Sequence, residues 1–253
     1  ITFVLRPMPI FLFWLFSCVG FWHVNLVSEL RDVPPPIGDA VGDFGPHLFV
    51  CFVIWHCVLQ HVWYAFEHVP LEFGIAWLGL WWIGVLLDVV FANVPLQRLT
   101  YHDISQQPGA VTSIVIIVIV VVVLAINQVR VVRSVGLLPK YLALYIVFGI
   151  VLALCAAVPG EGLRLHHYVI ALILLPGCAF PTRISLLCCA ILFGMYINGV
   201  ARWGFDGILQ DNGVIQGDAT GNSLLPSFSS SMTIDGVIKW NPIPVSYTHL
   251  RAH

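Results

Sequence analysis

The segment from Ile114 to Ile126 is a run of thirteen consecutive aliphatic residues, mostly valine and isoleucine. In water, β-branched residues of this kind favour strands, but strands seldom exceed about ten residues. In hydrocarbon an open strand would leave its backbone N–H and C=O groups unpaired, whereas a helix pairs them internally. The run therefore predicts a helix that crosses a membrane.

Composition extends this expectation to the whole chain. The 253 residues are 59% hydrophobic and 9% charged, with a mean hydropathy of +0.92. Soluble domains are roughly 45–50% apolar and about 25% charged. We therefore predict an all-α integral membrane protein, a polytopic helical bundle whose partner is the lipid bilayer. The net charge of -2 gives no reason to expect a nucleic-acid partner.

Seven apolar segments approach the length of about 20 residues that a helix needs to cross about 30 Å of hydrocarbon. They cover 9–27, 46–66, 74–92, 109–128, 139–158, 163–180 and 184–201. Proline and glycine separate most of them, and Trp and Tyr lie near many of their ends, as an interfacial belt predicts. The sixth segment is the weakest, because its uninterrupted apolar part covers only 169–179. A re-entrant hairpin is the alternative there.

Four parts of the chain follow from these spans. They are a short N-terminal flank (1–8), a transmembrane helical domain (9–203), a soluble C-terminal segment (204–244) and a terminal peptide (245–253). Because the chain opens on Ile1 rather than Met, we expect further residues upstream. Alternation over 233–240 predicts the first strand of a truncated β region. The terminal peptide resembles the translation of a transposon-type sequencing adapter and is left out of the fold prediction.

Alternating crossings would gather most polar side chains at one membrane face. We call the face that holds the N-terminus side one and the opposite face side two. The predicted side-two cluster comprises Asp88, Arg98, His102, Asp103, Arg164, His166 and His167, and Arg202 and Asp206 join it if the sixth segment crosses. Asp39 and Asp43, expected in the first loop, would add negative charge there. The loops of side one carry five Lys or Arg residues and those of side two carry four, so the positive-inside rule does not orient the chain.

This cluster allows several interpretations. His102, Asp103, His166 and His167 supply the nitrogen and oxygen donors that zinc takes, which would suit a metal-dependent membrane hydrolase. Their spacing matches no established metal motif, and hydrogen bonding at helix ends and to lipid headgroups is the structural alternative. A transporter is a further alternative, because charge inside a span, here Asp88, often marks a transport pathway.

A haem site and a disulfide framework have less support. A haem needs axial histidines from different helices, and His56 has no clear partner at its depth. All seven cysteines lie in apolar stretches, which is typical of buried structural thiols rather than of a disulfide framework. We therefore predict no cofactor other than the zinc alternative.

Four strings of the sequence carry a resemblance to a known family. They are RLTYHDISQQPGA (98–110), LPKYLALY (138–145), LRLHHYVIALILLPG (163–177) and INGVARWGFDGILQ (197–210). In these strings the chain resembles the fungal LCCL-domain-containing multi-pass membrane proteins. That resemblance implies a small cysteine-rich LCCL module ahead of the transmembrane region, which the present sequence does not contain. It implies no catalytic residues.

The resemblance also implies a function. The chain would be the membrane anchor of a multidomain protein whose binding or adhesion module takes an extracellular or luminal ligand. The hydrolase and the transporter remain the alternatives.

Overall fold

The structure, a computed structural model, describes residues 8–28, 37–66, 72–92, 109–163 and 165–211. In chain order its α-helices are α1 (Pro9–Leu26), α2 (Ile37–Ile54), α3 (Gln60–Ala65), α4 (Leu78–Val85), α5 (Leu87–Val90), α6 (Ala110–Ser134), α7 (Leu138–Ala156), α8 (His167–Leu174) and α9 (Arg183–Trp203). Wider π-helical turns join α2 to α3 (Trp55–Leu59) and precede α4 (Glu72–Trp77), and a 3-10 turn (Leu175–Cys178) extends α8. The described chain is thus mostly helical, as predicted.

Two short strands complete the described elements. They are β1 (Glu161–Leu163) and β2 (Leu209–Asp211), which pair in antiparallel orientation with Gly162 opposite Gln210. The truncated β region predicted over 233–240 lies outside the described residues, and so does the terminal peptide.

Among the described residues, five helices are long and apolar enough to cross a membrane. They are Pro9–Leu26, Ile37–Ala65, Ala110–Ser134, Leu138–Ala156 and Arg183–Trp203. The third and sixth predicted segments form shorter apolar helices, Gly74–Val85 and His167–Cys178. Several membrane-length helices are therefore confirmed, whereas the count of seven crossings is not.

The prediction for the second segment was wrong at its start. Its helix begins at Ile37 and contains Pro46, so Asp39 and Asp43 lie in α2 and not in a loop. Glycine and aspartate dilute the apolar pattern there, but a carboxylate in the first turn is favoured by the partial positive charge of a helix amino terminus. The buried side chains of Ala40 and His47 then tie this early part of α2 to the core.

The third segment also differs from the continuous helix predicted over 74–92. Leu86 leaves the helical region, with φ of -100° and ψ of 31°, and separates α4 from α5. The Leu86 N–H still bonds to the Trp82 carbonyl at 2.9 Å, so the chain keeps its direction through the break.

α9 is the central helix of the bundle, and α4 runs beside it in the same direction. Gly84 meets Gly194, and further along both helices Asp88 meets Arg202. A Cβ on Gly84 would lie only 2.9 Å from the Gly194 Cα atom. The two backbones touch because neither residue carries a side chain, as in close crossings of membrane helices.

α8 runs beside α9 in the opposite direction. Its first turn, at Tyr168, contacts Gly199, and the Cys189 thiol near the other end donates to the Cys178 carbonyl at 3.3 Å. The last part of α6 lies beside the start of α9, because the Ser185 hydroxyl donates to the Gln128 amide oxygen at 3.1 Å. The start of α8 therefore lies beside the end of α9, and the end of α6 lies beside the start of α9.

Aromatic rings fill the space between α1, α3, α4 and α9. Trp63, Trp77 and Trp81 are fully buried, and the Trp63 ring meets Trp77 edge-on at 4.8 Å between centroids. On the other side Phe13 stacks on Phe193 at 5.1 Å. Such pairs each contribute roughly 0.5–1.5 kcal/mol beyond the burial of their area, so this core makes the bundle rigid beneath its polar ends.

Candidate functional site

The carboxyl end of α9 carries the described part of the predicted polar cluster. We call it the polar rim and define it by Asp43, Asp88, His166, Tyr168, Arg202 and Asp206. At its centre the Arg202 Nη1 atom lies 3.2 Å from Asp88 Oδ2. The two side chains are 17% and 25% exposed, so water screens this ion pair only in part. The sequence placed both residues on side two, and the structure brings them into contact.

The crossing of α4 and α9 positions this ion pair. Because Gly84 and Gly194 let the helices touch, their following turns stay close enough for the two charged side chains to meet. Asn198 adds a second tie, since its buried amide donates to the Val85 carbonyl at 2.9 Å. That carbonyl lies at the end of α4, where helix geometry leaves acceptors unpaired.

The adjacent histidines have different surroundings. His166 precedes α8 in extended conformation and is buried, whereas His167 is the first residue of the helix and is exposed. The His166 ring stacks on Tyr168 with centroids 5.9 Å apart. The Tyr168 hydroxyl in turn donates to the Asp206 carbonyl. The chain after α9 is therefore fastened to the start of α8.

A turn at Gly204 lies at the polar rim, directly after α9. Gly204 ends α9 with φ of 70°, a conformation that residues with a side chain rarely adopt. A Cβ here would lie 2.8 Å from Asp43 Oδ2. The carboxylate at the start of α2 thus lies directly against the turn that follows α9.

Four of the predicted site residues, Arg98, His102, Asp103 and Arg164, lie outside the described residues. Within the described ranges, no three His, Cys, Asp or Glu side chains come together in a way that could hold a metal ion. The zinc hypothesis, which needs His102 and Asp103 beside His166 or His167, stays a prediction. In the described part of the polar rim, Asp88 and Arg202 form an ion pair and His166 packs on Tyr168. Both contacts lie at helix ends.

The sequence reasoning missed a buried histidine. His47 of α2 is fully buried, and its ring stacks between Phe21 at 4.8 Å and Tyr196 at 5.6 Å. The Cys51 sulfur lies 3.6 Å from His47 Nε2. The predicted segment 46–66 contains both residues, and their spacing of four places them on one helix face; the hydropathy pattern did not show that this face points into the core.

A second polar contact lies at the opposite end of α9. The Thr182 hydroxyl accepts from the Ser185 N–H at 3.2 Å and donates to the Ser185 hydroxyl at 2.8 Å. The Ser185 hydroxyl in turn donates to the Gln128 amide oxygen of α6. Thr182 is a typical helix-capping residue, and here the cap also holds a neighbouring helix.

Comparison with known proteins shows similarity to a yeast protein. Uncharacterized protein YIL067C of Saccharomyces cerevisiae (strain ATCC 204508 / S288c) is 31% identical over 228 residues, which is 85% of this chain and 33% of the relative. The chain thus spans about a third of the length of this curated relative. No protein-family description matches the chain, and no solved structure does.

Proposed function

We propose that this chain is the membrane-anchoring domain of a longer protein. The observation that carries the proposal is the exposure of α6. Every residue from 115 to 123, all of them valine or isoleucine, exposes between 47% and 60% of its surface. Nine consecutive residues cover more than two helical turns, so the helix is apolar and uncovered around its whole circumference.

Water is a poor solvent for such a helix. Burying one Val or Ile side chain gains about 1.5–3 kcal/mol, so leaving nine of them half exposed forgoes on the order of 10 kcal/mol. That is as much as the whole stability of a typical domain, about 5–15 kcal/mol. α7 shares this property, since none of its residues is buried. Hydrocarbon around α6 and α7 removes the cost.

The packed part of the bundle supports an anchor role as well. The α4–α9 crossing, the aromatic core and the ion pair of the polar rim each join helices to one another. The yeast relative is about three times as long as the matched region, which agrees with a helical domain that serves other parts of a longer chain. That an LCCL-type module is one of those parts rests on the resemblance of the four quoted strings.

Membrane extraction tests the proposed location. We expect the expressed chain to stay in the pellet after washing with alkaline carbonate and to dissolve only in detergent. A control chain with Val118→Asp and Val121→Asp should lose part of this retention, because two carboxylates in the middle of α6 oppose insertion. Release of the unsubstituted chain by carbonate alone would contradict the proposal.

Metal analysis separates the anchor from the hydrolase. An anchor predicts no stoichiometric metal in the purified chain, and it predicts that His102→Ala leaves the metal content unchanged. A bound metal that is lost together with a hydrolytic activity in His102→Ala would instead establish the enzyme.

A further inference from the structure

Four cations lie together at the end of the bundle where α9 begins. Arg130 and Arg133 belong to the end of α6, Lys140 to the first turn of α7, and Arg183 to the first turn of α9. All four side chains are exposed. We call these four residues the basic end. The contact between Gln128 and Ser185 places the end of α6 and the start of α9 in one layer.

Acidic residues concentrate at the opposite end. The structure describes the surroundings of five acidic side chains, and all of them lie at or next to the polar rim: Asp39, Asp43, Asp88, Glu161 and Asp206. Arg202, the described cation there, pairs with Asp88. Glu72, which begins the helix before α4, is the acidic residue placed at the basic end. Apart from Glu72, the described acidic residues therefore lie at the end of the bundle opposite the four cations.

Helix stability does not explain the basic end. Arg133 is well placed, because the carboxyl end of a helix carries partial negative charge. Lys140 and Arg183 have the opposite setting, since each lies in the first turn of its helix, where the macrodipole disfavours a cation. Lys140 therefore opposes its own helix, and an anion outside the described chain would relieve that unfavourable setting.

Apolar surface borders these cations. The uncovered faces of α6 and α7 run up to Arg130 and Lys140. Beside Arg183 there is an open cleft of about 170 Å³ with an almost wholly apolar wall, lined by Ala76, Leu186 and Leu187. Exposed cations beside apolar surface suit a ligand that has one anionic group and a hydrocarbon chain.

We propose that the basic end binds the headgroups of anionic phospholipids. Their phosphates meet Arg130, Arg133 and Lys140, while their acyl chains lie along α6 and α7 and in the neighbouring apolar cleft. Basic clusters at the ends of membrane helices bind acidic headgroups, because their positive charges lie next to the negatively charged membrane surface. The inference rests on the proposed membrane location of the chain.

Lipid titration followed by native mass spectrometry tests it. The full chain, purified in a non-ionic detergent, is titrated with phosphatidylserine and with phosphatidylcholine of identical acyl chains. We expect tighter binding of phosphatidylserine. The triple variant R130Q/R133Q/K140Q should lose this preference by at least tenfold, because each cation near a membrane surface contributes about a fivefold factor. The charge-preserving R130K/R133K/K140R is the matched control and should keep it.

Two further arms make the result decisive. Glycerophosphoserine, the same headgroup without acyl chains, should not compete at concentrations equal to those of the lipid; full competition would mean that the site takes a soluble phosphate and would overturn the proposal. Raising the salt to 0.5 M should weaken the serine-lipid preference of the unsubstituted chain, as screening demands. Equal binding of the two lipids at low salt overturns the proposal even when carbonate extraction has placed the chain in the membrane.

Discussion

Gly84 of α4 lies against Gly194 of α9 so closely that a Cβ on Gly194 would be 2.8 Å from the Val85 backbone nitrogen. Backbone atoms on both sides form this contact, so no flexible side chain can move away to make room. The crossing therefore sets the distance between the two helices that carry Asp88 and Arg202.

Gly194→Ala should destabilise the bundle by about 2–3 kcal/mol, because inserting a methyl group into a filled contact forces the helices apart. Unfolding of the purified chain in mixed micelles, followed by tryptophan fluorescence, measures the change. Gly79→Ala is the matched control, because no atom lies within 4 Å of its Cβ position. It should be neutral or slightly stabilising, since alanine favours helix over glycine. Equal losses in both variants would contradict the tight crossing.

The ion pair of the polar rim should show energetic coupling. Arg202→Gln and Asp88→Asn each leave a partly buried charge without its main partner, and we expect each to cost about 1–2 kcal/mol. The double variant should cost less than the sum, by about 0.5–2 kcal/mol, as expected for residues in contact. A double-mutant cycle in micelle unfolding measures this coupling. Strict additivity would mean that the pair contributes nothing.

Uptake measurements on the same variants bear on the transporter alternative. A transporter that uses Asp88 predicts a solute uptake that Asp88→Asn abolishes while Arg202 is intact. In an anchor, the two variants should lose stability in parallel and change no flux.

The neighbouring histidines should respond differently to substitution. His166→Ala removes a buried ring that stacks on Tyr168, and we expect a loss of about 1–3 kcal/mol in the free energy of unfolding. His167→Ala removes an exposed ring and should change stability by less than about 0.5 kcal/mol. Thermal unfolding in detergent distinguishes them. A loss of bound metal from both variants would favour the shared zinc site.

The hydrogen bond between α6 and α9 should make a modest contribution. Gln128→Ala and Ser185→Ala should each destabilise the chain by about 0.5–2 kcal/mol, the range found for hydrogen bonds between membrane helices. Ser134→Ala is the control, because the Ser134 hydroxyl is exposed and bonds to the Val131 carbonyl of its own helix at 2.8 Å. A larger effect at Ser134 than at Ser185 would argue against the contact.

Accessibility labelling tests the direction of α7. Ser134→Cys and Pro159→Cys place thiols at exposed positions just before and just after this helix. In sealed vesicles, a membrane-impermeant maleimide should label one of them from outside and the other only after permeabilisation. Labelling of both from the same side would show that α7 does not cross.

Much of the helical architecture could be predicted from the sequence. The starts of α1, α6, α7 and α9 lie within one residue of the predicted segments, because long apolar runs bounded by proline, glycine or charge have one solution in hydrocarbon. The start of α2 could not be found in this way, since glycines and aspartates hide a helix that tertiary contacts stabilise. The break at Leu86 had no signal in the apolar pattern.

The sequence predicted which end of the bundle the candidate-site residues share, but not which of these residues are in contact. Alternating crossings placed Asp88, Arg202, Asp206 and His166 on one side, and the structure brings these four to the same end of α9. Sequence spacing could not show that Asp88 pairs with Arg202, or that His166 turns inward while His167 turns outward. Those outcomes depend on how far apart and how rotated the helices are.

The sequence alone determined that the chain contains helices long and apolar enough to cross a membrane, because an uninterrupted aliphatic run such as that of α6 has no polar face to turn toward water. Only the tertiary structure decided which residues meet across helices. Close glycine contacts and packed aromatic rings set those distances, and a one-dimensional pattern of hydropathy does not show which distant segments touch.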